Sequence, residues 1–74
     1  MKTEKVSITT EYIKLDQLLK FAGIAPTGAD AKDMILSEMV TVNGELCTMR
    51  GKKMRRGDYA KVIFDDEEVT VEVG

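Results

Sequence analysis

The chain has 74 residues, one Cys, no His and no Trp, and its 11 Lys/Arg against 13 Asp/Glu give a net charge of −2. A domain of this size buries only about 60% of the surface of its unfolded chain, which leaves little room for an internal active site. The lone Cys47 excludes an internal disulfide and has no His to act as its base, and no apolar run nears the roughly 20 residues of a membrane span.

Val6-Ser7-Ile8-Thr9 alternates apolar and polar residues and is rich in β-branching, which predicts a short strand. Leu15, Leu18, Leu19 and Ala22 then recur at helical spacing, with Lys14, Asp16, Gln17 and Lys20 on the other face. Asp16 stands four residues before Lys20, the favourable order for a helical ion pair. Gly23 supplies a C-terminal stop, because a positive φ there would cost any residue with a Cβ. Thr27-Gly28-Ala29-Asp30 fits a capping box opening a second helix, with Ala31, Met34, Ile35 and Met39 as its apolar stripe and Lys32, Asp33 and Ser37 toward solvent.

The period then changes to two. Val40-Thr41-Val42 and Glu45-Leu46-Cys47-Thr48 flank Asn43-Gly44, a strong short hairpin signal, since a type I′ turn needs positive φ at both central residues. Gly57-Asp58 marks a turn, and Tyr59 to Phe64 reads as a strand. Asp65-Asp66 or its neighbours turn the chain, and Val69, Val71 and Val73 form one buried face of a last strand. The order β, α, α and then about four strands predicts a single α+β domain, with two short helices on one side of a small, mainly antiparallel sheet.

Charge is unevenly distributed. Five of the seven residues from Arg50 to Arg56 are basic, and from Cys47 to Phe64 six Lys/Arg stand against one Asp, a local charge of +5. The last ten residues carry Asp65, Asp66, Glu67, Glu68 and Glu72, a local charge of −5. A concentrated basic patch on a small domain is the footprint of a polyanion partner. The alternative for such a run is a solvated loop.

Taken in order, Leu15-Asp16-Gln17-Leu18-Leu19, Gly23, Ala31, Ile35, Val40-Thr41-Val42-Asn43-Gly44 and Gly57-Asp58 resemble the S4-like (α-L) RNA-binding domain. The resemblance runs from Tyr12 to Phe64, with a last strand over 68–73. It is nearest to the small stand-alone bacterial members of the YaaA-like or YbcJ-like kind. Many members open the second helix with a Ser-Arg pair. Here Thr27-Gly28 keeps the cap and loses the Arg, and Lys32 stands one turn later.

The resemblance implies a non-catalytic RNA-binding protein of the bacterial cytoplasm, with ribosomal RNA or ribosome assembly as its setting. It implies an RNA surface of Lys14, Lys20 and Lys32 from the helices and Arg50, Lys52, Lys53, Arg55 and Arg56 from the basic segment. Arg can fork two donors onto one phosphate, whereas Lys acts as a point charge. Met54 is expected to anchor the segment in the core. Two Tyr and two Phe are too few for a single-strand stacking platform, so structured RNA read by shape and backbone is expected.

Nothing in the residues calls for a cofactor, a metal, a membrane or a small-molecule substrate. Three rival readings make different demands on the residues. A protein-interaction adaptor would bind without touching RNA, a sulfur-carrier or ubiquitin-like module would present a Gly-Gly end where this chain has Val73-Gly74, and an enzyme would need a nucleophile with a base. Arg56-Gly57-Asp58 spells an adhesion tripeptide, but a turn already explains its Gly-Asp.

Overall fold

In chain order the residues form β1 (Lys2–Val6), β2 (Ile13–Lys14), α1 (Leu15–Phe21), α2 (Gly28–Leu36), β3 (Val40–Val42), β4 (Glu45–Leu46), β5 (Lys53–Met54), β6 (Tyr59–Phe64) and β7 (Glu67–Val73). This computed structural model describes residues 2–64 and 66–74, with the side chains of residues 2 and 64 left aside. The architecture is the expected α+β one, with two helices against a sheet. Among the described residues, no helix is long and apolar enough to cross a membrane.

The main sheet has the order β1-β7-β6-β3-β4. Its inner pairs are antiparallel, but β1 lies parallel to β7, with Val6 opposite Val73, so the sheet is mixed. The first strand ends at Val6 instead of spanning Val6 to Thr9. Its partner β7 runs out at Val73, and beyond it Gly74 N–H donates to the Val6 carbonyl and accepts from Ile8 N–H through its own carbonyl. Thr9 and Thr10, which follow, lie outside any strand. Alternation of side chains marked a β-prone stretch, but the partner's end decides where pairing stops.

One face of the sheet is apolar. Val40, Val62 and Val69 lie in one register row, and Val42, Ala60 and Val71 in the next; all six are buried. Leu15, Leu18 and Leu19 of α1 and Ala31 and Ile35 of α2 cover them and are fully buried. Each such Leu contributes about 1.5–3 kcal/mol by leaving water. Met34 and Met39 pack at the margin of this core, as does Cys47.

The local signals act as their chemistry requires. Gly23 has φ 77, and Asn43 and Gly44 have φ 51 and 88, the pair of left-handed residues that a type I′ turn needs. Thr27 is the N-cap of α2, its Oγ1 accepting Asp30 N–H at 3.2 Å and donating to Asp30 Oδ2 at 3.1 Å. The Asp16–Lys20 ion pair is not formed. Asp16 sits in the first turn of α1, where amides lack helical partners, and its Oδ1 accepts Gln17 N–H at 2.8 Å. After the hairpin, β4 is limited to Glu45–Leu46, shorter than the expected run to Thr48. Of the expected Asp65-Asp66 turn, Asp65 lies outside the described residues.

Candidate nucleic-acid interface

The basic segment is built into the fold by its backbone. Met54 pairs with Ile13 and Lys53 with Lys14, a two-stranded ladder separate from the main sheet. Ile13 and Met54 point inward and are buried, Met54 completely, so it anchors the segment as its sequence position suggested. Lys14 and Lys53 therefore share the outward face.

Carbonyls of the same segment complete α1. The N-cap of α1 is Lys14, whose side chain makes no capping bond. Instead Leu15 N–H donates to the Lys52 carbonyl at 2.9 Å, and Asp16 N–H to the Arg50 carbonyl at 3.1 Å. Two of the amides that a helix start leaves unpaired are thus satisfied by the loop that carries the cations.

The far end of the segment is fixed by Asp58. Its Oδ2 accepts Arg55 N–H at 2.8 Å and its Oδ1 accepts Asn43 Nδ2 at 3.1 Å. These hydrogen bonds, to Arg55 N–H first and to Asn43 second, hold the Asp58 carboxyl below the usual carboxylate range, with Lys52 and Arg55 adding favourable charge. Gly57 has φ 95, and its N–H reaches the Val73 carbonyl at 2.9 Å. The Arg56-Gly57-Asp58 tripeptide is thereby accounted for as a structural turn, its acid committed internally.

The cations differ in what they already do. The Arg56 guanidinium donates to the Ile8 carbonyl at 2.7 Å, tying the segment to the stretch after β1. Lys53 Nζ stands 5.1 Å from the centroid of the Tyr12 ring, a cation–π contact. The side chains of Arg50, Lys52 and Arg55 make no hydrogen bond or ion pair with the described residues and are exposed. Lys61 pairs with Glu68 at 3.0 Å across the sheet, so it adds little to the patch despite its place in the local charge count.

Of the expected site residues, the structure gathers Arg50, Lys52, Lys53, Arg55 and Arg56 on one anchored segment and adds Lys14 by strand register. Lys20 is exposed in the last turn of α1, the end away from the segment. Lys32 is exposed on α2, and no strand pairing or hydrogen bond joins it to the segment. Sequence reasoning missed Phe21. It is 64% exposed at the end of α1 and lines a cleft together with Tyr12, Lys14 and Gln17. Its place could have been read from the helical period, since it falls off the Leu15–Leu18–Leu19 stripe.

Gly74 is held beside β1 by two backbone hydrogen bonds.

Comparison with known proteins agrees with this geometry. A family model described as the S4 domain matches residues 6–72. A protein of Bacillus subtilis (strain 168), named as a probable ribosome maturation protein, RlbA, is 39% identical over 57 residues, covering 77% of this chain and 80% of that one. The family match spans the helix pair, the Asn43-Gly44 hairpin and the basic segment, and the chain belongs to the S4-domain family.

Proposed function

We propose that this protein binds structured RNA without catalysing a reaction, and that its RNA is ribosomal, met during ribosome assembly in the bacterial cytoplasm. The observation that carries the reading is the Lys14–Lys53 pair. Two like charges directly opposite on one ladder destabilise it, yet here they border three further unpaired cations on a segment whose backbone is anchored by hydrogen bonds at Arg50, Lys52 and Arg55. A run of phosphates relieves that repulsion. S4-domain membership and the ribosome-maturation relative support both the partner class and its setting.

In this reading Arg50, Lys52, Lys53, Arg55 and Arg56 contact phosphates together with Lys14. Lys20 and Lys32 extend the surface along the helix pair. The anchored backbone means that little ordering is needed when RNA arrives, so less of the gross attraction is lost to entropy. The acidic residues of β7, Glu67, Glu68 and Glu72, have the wrong sign for RNA and steer it away from their part of the surface.

The test is binding to a labelled structured ribosomal RNA fragment, with duplex DNA beside it, by the wild type and a variant with Arg50, Lys52, Lys53, Arg55 and Arg56 changed to Ala. Folding of the variant is checked by circular dichroism. Loss of RNA binding in the folded variant supports the reading. Absence of RNA binding by the wild type at low salt refutes it and favours an adaptor that contacts only protein.

A further inference from the structure

The cleft beside the basic segment has a different chemistry from the segment itself. It is open to solvent, measures about 370 Å³, and its lining includes Glu11, Tyr12, Lys14, Gln17 and Phe21. Phe21 ends α1 and is 64% exposed, so much of its ring faces water. Lone exposed apolar residues are ordinary. This one shares a cleft with a second aromatic ring, an amide and a cation.

The neighbouring groups are arranged by the fold. Lys53 lies over the Tyr12 ring, which is half-buried, whereas Phe21 is exposed and offers the larger open aromatic surface. Gln17 carries both a donor and an acceptor within the cleft, and the Glu11 carboxylate accepts only. Lys14 lines the cleft and also stands opposite Lys53 on the β2–β5 ladder, so the cleft and the phosphate-binding segment share a border.

We infer that this cleft receives one unpaired nucleobase, bulged or looped out of the same RNA whose phosphates the basic segment holds. The inference rests on the proposed RNA binding and adds the feature of the RNA that is selected. The base stacks on Phe21, Gln17 and Glu11 face its polar edge, and Lys14 meets the phosphate next to it. A single ring suits one base. A paired helix offers no free base face here, so the cleft distinguishes an interrupted helix from a continuous one. This is how sequence-poor shape recognition of RNA acquires local selectivity.

The test uses two RNA hairpins identical except that one carries a single bulged 2-aminopurine, with the wild type, Phe21→Ala, Phe21→Trp and the five-fold Ala variant of the basic segment. Phe21 is exposed, so its replacement leaves the core intact, and circular dichroism verifies this. The wild type is expected to prefer the bulged hairpin by about 5- to 150-fold, the range that one stacked base supplies, and to change the 2-aminopurine fluorescence. Phe21→Ala is expected to lose the preference and the fluorescence change while holding the paired hairpin as the wild type does, and Phe21→Trp to retain the preference. Equal binding of the two hairpins by the wild type overturns the inference and leaves the RNA reading standing, as does a Phe21→Ala loss that is the same for both. Binding of neither hairpin by the wild type at low salt overturns the RNA reading and the inference with it.

Discussion

Asn43 and Asp58 lie 15 residues apart in the chain and meet through Asn43 Nδ2 and Asp58 Oδ1 at 3.1 Å. Asn43 Oδ1 also accepts Tyr59 N–H at 3.0 Å, and Asn43 N–H donates to the Tyr59 carbonyl at 2.9 Å. The Val-Asn-Gly turn and the Gly-Asp turn, which look like two separate weak motifs in the sequence, are therefore one device. It closes the β3–β4 hairpin against the start of β6 and at the same time fixes Arg55 through its N–H.

Because the folded state lowers the Asp58 pKa, its stabilising contribution is present above the ordinary carboxylate value of about 3.9 and is lost as pH falls through the lower folded value. Asp58→Ala is expected to destabilise the domain by about 0.5–1.5 kcal/mol near pH 7, through the lost hydrogen bonds. Urea denaturation of both proteins checks this, and their difference should shrink toward the acid limit.

Met54 is buried completely and holds the segment by its side chain. Met54→Ala is expected to cost about 2–5 kcal/mol, while Met54→Leu, close in volume, should cost less than about 1.5 kcal/mol. Thermal unfolding distinguishes them. RNA affinity should follow stability in this pair, since no cation is removed.

The Thr27 cap predicts a loss of about 1 kcal/mol for Thr27→Ala and almost none for Thr27→Ser, which keeps the accepting hydroxyl. The readout is the denaturation midpoint. Core and basic segment are untouched by either change.

Gly28 begins α2, and a Cβ placed there meets nothing within 4 Å. Gly28→Arg is therefore expected to fold normally. It restores the basic residue that many S4-like domains carry after the cap, and should steepen the salt dependence of RNA binding by about 0.7–0.9 in log–log slope, one added phosphate contact. A slope unchanged from wild type would mean that the start of α2 lies off the RNA.

Short-range chemistry was legible in the residues alone. The Leu15–Leu18–Leu19 stripe, the Gly23 stop, the Thr27 cap and the Asn43-Gly44 turn each depend on neighbours within a few positions. The mixed sheet was not legible. The parallel β1–β7 pairing joins opposite ends of the chain, and nothing near Val6 encodes that partner. The β2–β5 ladder escaped for a similar reason, since two residues are too few to show a period and Lys53-Met54 reads as part of a basic loop. The charges of the candidate site could be read from the sequence. Their division into cations with internal partners, Lys53 and Arg56, and free ones, Arg50, Lys52 and Arg55, required the structure.

The salt dependence of RNA affinity tests the central claim most directly. Wild type and the five-fold Ala variant would be titrated with the same ribosomal RNA fragment across a salt series. With three to five phosphates neutralised, log affinity of the wild type should fall with log salt at a slope of roughly −2 to −4.5, and the folded variant, left with Lys14, Lys20 and Lys32, should bind more weakly and with a shallower slope. Equal slopes and equal affinities for the two proteins would contradict the account and take the basic segment out of RNA recognition.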